Sequence, residues 1–242
     1  DHDPVAVLDH AEIGDRLAGI VLEPLVQGAA GMRMYSPQYL RDVRRICDER
    51  GVPLIVDEVF TGFGRTGSMF ATEQAAIPID IMCLAKGLSG GVLPFAATLV
   101  TEPLFEAFMG ERERAFYYGH TYCGHPLGAA IAREVLAIYR EEEIVARAQP
   151  KIARLQQLAA DLGAVAGVRS PRQLGMIAAC DLTPGGGYGG QLGWRVYQEA
   201  LSRGAYLRPL GDTVYLTPSL TITTAELDEL CDITLESVRR AL

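Results

Sequence analysis

Asp80-Ile-Met-Cys-Leu-Ala-Lys86-Gly87-Leu-Ser-Gly90-Gly91 is the stretch on which the fold turns. Its apolar run, Ile81 to Ala85, has the length of a short buried strand and delivers one lysine into a glycine-rich turn. An ammonium buried without a partner is costly or has its pKa depressed. A desolvated lysine is also a nucleophile toward aldehydes, the basis of Schiff-base chemistry; a lysine that only snorkels from a strand end does none. Upstream, Pro53-Leu-Ile-Val-Asp57-Glu58-Val59 is a second apolar strand, and it ends in paired carboxylates. The interval from Asp57 to Lys86 fits one strand–loop–helix–strand unit. Both side chains would then emerge at one edge of a parallel sheet, where open α/β sheets bind ligands.

Two chemistries compete for this pair. An apolar strand ending in Asp-Glu suits the magnesium-binding strand of a nucleotide hydrolase, which also needs Gly-x-x-x-x-Gly-Lys-Ser/Thr. The sequence has no such run, and Lys86 precedes its glycines. The other chemistry is that of pyridoxal 5'-phosphate (PLP), with a lysine on the aldehyde and an aspartate on the pyridinium nitrogen.

Val56-Asp-Glu-Val-Phe-Thr-Gly-Phe-Gly-Arg65-Thr-Gly67 followed by Leu84-Ala-Lys86-Gly-Leu-Ser-Gly-Gly91 resembles the class III (omega) aminotransferases of PLP fold type I. Leu22-Glu-Pro-Leu-Val-Gln-Gly-Ala-Ala-Gly-Met-Arg-Met-Tyr35, Gly119-His-Thr-Tyr-Cys-Gly-His-Pro126 and Leu207-Arg-Pro-Leu-Gly-Asp-Thr-Val-Tyr-Leu-Thr-Pro218 narrow the likeness. Together they look most like the subfamily of adenosylmethionine–8-amino-7-oxononanoate aminotransferases of biotin synthesis. The resemblance covers nearly the whole chain. It implies an α/β fold: the C-terminal part of a mostly parallel large-domain sheet, plus an α+β small domain. It also implies that the chain is the C-terminal portion of a longer enzyme.

For the site, the resemblance implies PLP as cofactor, Lys86 as its covalent lysine and Asp57 on the ring nitrogen. Val59 would pack on the ring face, and His120 and Thr121 would reach the phosphate of a neighbouring subunit's cofactor. Gly119, Arg65, Arg208 and Tyr215 would meet substrate, Arg208 by pairing with a carboxylate, and Glu23 would support the site from behind. Many relatives have proline where this chain has His120, and others have histidine. Read without the family, Arg65 is a solvated turn residue and Arg208 a surface salt bridge.

Composition bounds the alternatives. With 49% hydrophobic and 21% charged residues the chain is globular, and a net charge of −8 gives no support for nucleic-acid binding. No apolar run reaches a membrane-spanning length of roughly 18 residues, so no membrane role is expected. Asp1-His-Asp-Pro has neither the basic nor the apolar region of a signal peptide. Cys47, Cys83, Cys123, Cys180 and Cys231 are odd in number and form no Cys-x-x-Cys, which suits a reducing, cytoplasmic compartment. The four histidines make no metal-ligand spacing, so no metal is expected.

Along the chain, Ala11 to Leu17 reads as a helix end, Gly19 to Glu23 as a strand and Gln27 to Gly31 as a loop. Ser36-Pro37 opens a helix with Leu40, Val43, Ile46 and Cys47 as its apolar stripe, ended by Gly51. Ser68 to Ala75 reads as a short helix, Phe95 to Val100 as a strand, and Thr101 as the cap of a helix to Met109. Ala115 to Gly124 has no period. Pro126 to Arg140 is a long helix, Glu141 to Glu143 a charged hinge, and a second helix runs to about Leu162. This places a large PLP-binding domain at 1–142 and a small domain at 143–242. The latter alternates strands (Met176–Asp181, Tyr206–Arg208, Val214–Thr217) with helices (Gln191–Ser202, Thr224 onward). Thr183-Pro-Gly-Gly-Gly-Tyr-Gly-Gly190 lacks the Lys or Ser/Thr of a phosphate loop and reads as a flexible connection.

The expected function is transamination between a small amino donor and a keto acceptor, forming 7,8-diaminononanoate from 8-amino-7-oxononanoate, in a homodimer with shared sites. Two alternatives stay open: another class III omega-amino acid aminotransferase using pyruvate or 2-oxoglutarate, and a non-catalytic partial chain.

Overall fold

The computed structural model describes residues 16–185 and 187–242. In chain order its elements are β1 (Ile20–Leu22), β2 (Val26–Gln27), β3 (Arg33–Met34), α1 (Pro37–Arg50), β4 (Leu54–Asp57), β5 (Ile81–Leu84), β6 (Ala97–Val100), α2 (Glu102–Glu106), α3 (Pro126–Glu141), α4 (Ile144–Gly163), β7 (Val168–Leu174), β8 (Ile177–Leu182), α5 (Leu192–Ser202), β9 (Thr213–Leu216) and α6 (Thr224–Ala241). They fall into two units. The first takes the described residues up to Leu25, then Tyr35–Phe63 and Phe70–Glu142; the second takes Val26–Met34, Gly64–Met69 and Glu143–Leu242. The helix end expected over Ala11 to Leu17 lies, for residues 11–15, outside the described residues.

The first unit is built on α1 and a sheet ordered β1-β4-β5-β6, with β1, β4 and β5 parallel and β6 antiparallel. Ser36 Oγ accepts the Tyr39 amide at 3.4 Å, Pro37 fits the first turn where its missing N–H is not needed, and Gly51 ends the helix at φ 64°. The predicted stripe is buried: Val43 and Cys47 pack on Leu54 and Val56, with Ile20, Leu22 and Met82 at the margin. Arg44 reaches from α1 to Asp80 at 2.5 Å, and Asp80 also accepts the Leu54 amide at 2.8 Å. Burial works to raise the Asp80 carboxyl, but that amide and the guanidinium hold it below the usual carboxylate range. Strand alternation turns Ile55 and Asp57 to the opposite face, which stays open: Val21, in register with Ile55, is 65% exposed.

The second unit has an antiparallel sheet ordered β7-β8-β9 and the hairpin β2–β3. Arg172 clamps Asp181 with two bonds of 2.9 and 3.0 Å and also donates to the carbonyls of Gly31 and Met32, fastening the hairpin turn to the sheet. A capping box at Thr223 and Glu226 starts α6.

Several expectations need correction. β7 was not expected; it holds Pro171, is an edge strand, and its pairing slips between Arg169 and Arg172, where a proline is tolerated. Tyr206 to Arg208 forms no strand: Pro209 lacks an amide, and pairing resumes only at the Leu210–Thr213 bridge. Ser68 to Ala75 yields only a 3-10 turn, Ala71–Gln74. The loop expected over Gln27 to Gly31 is found from residue 28 onward, as the turn of the β2–β3 hairpin, and only Gln27 belongs to a strand. Thr101 makes no side-chain cap bond, and α2 stops at Glu106.

Glu58, beside Asp57 but turned inward, is fully buried. It accepts from Thr61 Oγ1 (2.6 Å), the Ala71 amide (3.2 Å), and the Thr72 amide and hydroxyl (2.9 and 3.1 Å), closing the loop after β4 onto that 3-10 turn. Burial raises its pKa, opposed by these donors. Glu58→Ala should lower the unfolding free energy of the chain by about 2–4 kcal/mol in urea titrations, because buried donors lose their acceptor; a change within about 0.5 kcal/mol is the level of an ordinary surface site and refutes it. A raised folded pKa means that this group's contribution is complete below the unfolded carboxylate pKa and falls away as pH rises through the folded value. Measured against Glu58→Gln, which cannot titrate, wild type should gain stability as pH falls from about 8 to about 5. A flat or opposite difference overturns the assignment.

Candidate active site

Parallel pairing of β4 with β5 puts Asp57 in register with Cys83, so Asp57 and Lys86 leave the sheet at the same edge. Asp57 ends β4 on the open face. Its Oδ1 accepts the Val59 amide at 2.9 Å, and its other oxygen carries no hydrogen bond among the described residues. Val59 is partly buried. Cys83, beside Asp57, has its thiol pKa raised by burial first and by the carboxylate second, against a hydrogen bond with Thr98.

Lys86 opens a 3-10 turn that ends at Gly90. Its own φ is 45°, a left-handed conformation uncommon for a residue with a side chain. Gly87 is obligatory beside it: a Cβ there would stand 2.7 Å from the Phe63 side chain. The ammonium lies 5.6 Å from the Phe60 ring centroid, a cation–π distance. Lys86 is exposed, and Ile81, Met82 and Cys83 are only partly buried. The expectation of a buried lysine on a buried strand is therefore corrected, for the sheet face opposite α1 is open.

A cavity of about 990 Å³ adjoins the lysine, with Ser89, Phe95, His120, Tyr122 and Cys123 on its walls. Gly119, His120 and Thr121 lie on the exposed, irregular segment before α3. His120 Nδ1 accepts the Tyr122 amide at 3.1 Å, and His125 Nδ1 caps α3 through the Gly128 amide at 3.0 Å. Gly128 lets the helix approach: a Cβ would come within 2.4 Å of the Phe95 ring. Glu23, just past β1, is partly buried, and its carbonyl accepts from the Tyr35 hydroxyl. Burial raises the Tyr35 phenol.

Arg65, Arg208 and Tyr215 belong to the second unit. Arg65 donates to the Pro218 carbonyl at 2.7 Å, and its own carbonyl accepts the Met176 amide at 2.9 Å, so it fastens its loop to the unit. Arg208 is exposed, between buried Leu207 and Pro209. Tyr215 stands on β9; burial raises its phenol, Arg208 draws it down, and Tyr188 and Tyr206 push it up. Arg208, Tyr188 and Tyr206 thus each lie within electrostatic reach of Tyr215.

The sequence reading gave no role to two buried carboxylates that each tie loops together within their own unit, Glu58 in the first and Asp212 in the second. Glu58 was visible as half of an acidic pair with Thr61 one turn on. Asp212, 3% exposed and accepting the Leu192 amide at 2.8 Å, carried no signal, because its partner lies on another element. Among the described residues no group of three or more His, Cys, Asp or Glu could hold a metal, and no helix is long and apolar enough to cross a membrane.

The family model for class III aminotransferases matches residues 2–238. The adenosylmethionine-8-amino-7-oxononanoate aminotransferase of Nitratidesulfovibrio vulgaris is 43% identical over 228 residues, covering 90% of this chain and 42% of that protein. An omega-aminotransferase of Caulobacter vibrioides is 32% identical over 228 residues, covering 93% and 51%. The crystal structure of adenosylmethionine-8-amino-7-oxononanoate aminotransferase from Methanocaldococcus jannaschii superposes with a TM-score of 0.86 at 36% identity, covering 92% of this chain and 53% of that one. The chain spans about half the length of the curated relatives it matches. A match over almost every residue, with a mostly parallel sheet that carries Asp57 and Lys86 at one edge, places this chain in the class III aminotransferase family.

Proposed function

We propose that the chain carries the lysine and aspartate of a PLP-dependent aminotransferase that converts 8-amino-7-oxononanoate to 7,8-diaminononanoate. The observation that carries this reading is the emergence of Asp57 and Lys86 from neighbouring parallel strands at one sheet edge. The residues present fit PLP: Lys86 is an accessible amine beside a cavity, and Asp57 keeps one oxygen for a ring N–H. When bound, PLP supplies an aldehyde for amines and a ring that withdraws electrons from the carbon being deprotonated.

Lys86 Nζ would hold the cofactor through its aldehyde and, once freed, would carry the proton to and from the substrate carbon. The other oxygen of Asp57 would hold the proton on the ring nitrogen. The Val59 amide fixes that carboxylate, and the Val59 side chain would pack against the cofactor ring. Arg208 receives the acceptor's carboxylate through its planar fork, with Tyr215 beside it. Arg65 serves by shaping its loop, and Glu23 by supporting the site from behind.

Gly119, His120 and Thr121 would serve a second copy of the chain in a homodimer, His120 and Thr121 at its cofactor's phosphate. Phe105, Phe108, Phe116, Tyr117, Tyr118 and Tyr122, each between 49% and 84% exposed, support such a covering partner. A cytoplasmic location accords with the free cysteines.

The omega-aminotransferase likeness favours a second reading, with pyruvate or 2-oxoglutarate as acceptor. Turnover of the holoenzyme with each acceptor separates the two, and failure of the whole protein to bind PLP or turn over any of them sinks both.

Borohydride reduction of the holoenzyme and peptide mapping should place the pyridoxyl label on Lys86; label on another lysine removes the assignment. Asp57→Asn should nearly abolish turnover while that label persists, since an amide cannot hold the ring proton. Activity within about tenfold of wild type, about 1.4 kcal/mol of barrier, counts against the role. Arg208→Ala should cost roughly 2–5 kcal/mol in kcat/KM for the keto acceptor, with Arg208→Lys recovering part and the donor half-reaction little affected. Equal losses in both half-reactions point to the general omega-aminotransferase, and no loss returns Arg208 to the surface.

A further inference from the structure

In Thr183-Pro-Gly-Gly-Gly-Tyr-Gly-Gly190, Gly185 and Gly190 have steric reasons that a flexible connection would not need. A Cβ on Gly190 would lie 1.7 Å from a carboxylate oxygen of Asp212, and one on Gly185 2.5 Å from the same oxygen. A Cβ on Gly211 would come within 2.2 Å of the Gly187 carbonyl oxygen and 2.5 Å of that of Tyr188. The Gly187 carbonyl accepts the Asp212 amide at 3.0 Å, and the Asp212 carbonyl accepts the Leu182 amide at 2.9 Å. Gly185, Gly187, Tyr188 and Gly190 therefore lie against Gly211 and Asp212, in the turn that joins Arg208 to β9 and Tyr215. Glycine is what allows main chain to approach main chain this closely.

On this packed loop sits one large side chain, Tyr188, and it is 75% exposed. Its backbone touches Gly211, three residues from Arg208 and four from Tyr215. The phenol lies close enough to Tyr215 to act on it electrostatically, as Arg208 and Tyr206 also do. An aromatic ring can cover the methylenes of a long keto acid, and a phenol can donate to its carboxylate alongside a guanidinium.

We propose that Tyr188, delivered by the glycine loop beside Arg208 and Tyr215, is a specificity-determining contact for the carboxylate-bearing tail of the keto acceptor. The assignment rests on the reading of Arg208 as the receiver of that carboxylate.

The test is steady-state and half-reaction kinetics of the holoenzyme with 8-amino-7-oxononanoate as acceptor. Tyr188→Ala should raise the acceptor KM about tenfold, the scale of one lost pocket contact, and leave kcat and the donor half-reaction within about twofold. Tyr188→Phe, which keeps the ring, should recover part of the loss. Gly190→Ala, whose methyl would push the loop off Asp212, should raise the same KM with the tyrosine still present. An unchanged acceptor KM in Tyr188→Ala, or an equal fall in the donor half-reaction, overturns the inference. Arg208→Ala run in parallel distinguishes the failures: if it raises the acceptor KM and Tyr188→Ala does not, only Tyr188 is wrong. If Arg208→Ala leaves that KM unchanged, the underlying reading of Arg208 fails.

Discussion

Parallel pairing of β4 with β5 is the constraint on which the rest depends. It sets Asp57 opposite Cys83, and with that register both strands end at one edge, the carboxylate on one and the lysine just past the other. A slip of one residue would turn Asp57 toward α1 and Ile55's neighbours outward, exchanging the apolar and polar faces. The register is held from the other side. Leu54 and Val56 are buried against Val43 and Cys47. The Arg44–Asp80 pair and the bond from the Leu54 amide to Asp80 fix the start of β5 relative to α1 and β4. Core packing thus specifies the position of the two polar groups without touching either.

Much of this was legible because it depends on local pattern. The α1 stripe, the cap at Ser36, the glycine stop at Gly51 and the two apolar strands are each written within a few residues, and the structure has them where periodicity puts them. Local pattern misled where tertiary context decides. Pro171 lies in β7, which the sequence reading did not identify, and an edge position with slipped pairing accommodates it. Tyr206 to Arg208 looked like a strand from composition, but a strand needs a partner, and Pro209 prevents one from continuing. The exposure of Lys86 could not be read at all. An apolar run reports that a strand has hydrophobic faces, not that both of them are covered.

The second unit shows the same limit from its polar groups. Arg172 and Asp212 organise the unit through partners far away in sequence: Arg172 through Asp181 and the hairpin carbonyls, Asp212 through Leu182, Gly187 and Leu192. No spacing rule finds such residues, because a buried polar side chain is defined by who satisfies it. Glycine content does give notice of them. Where a chain carries glycines without a turn pattern, close approach of backbone or of a buried carboxylate is a physical alternative to flexibility, and at Gly185, Gly190 and Gly211 the approach is what the geometry requires.

Asp57 and Glu58 show how one acidic dipeptide serves two purposes. In an extended chain neighbouring side chains point to opposite faces, so the pair cannot share an environment. Asp57 turns to the open face, takes one backbone amide and keeps an oxygen uncommitted. Glu58 turns inward, is fully buried and spends its oxygens on four donors from the loop that follows. The environments differ in what they allow. An uncommitted carboxylate oxygen can hold a proton on a ligand, while a fully engaged one can only hold protein. The first function depends on the second: the loop that Glu58 closes contains Phe60 and Phe63, against which Lys86 and Gly87 are set. The inward carboxylate therefore fixes the surface beside which the outward carboxylate and the lysine stand, and the alternation of a single strand connects the two environments.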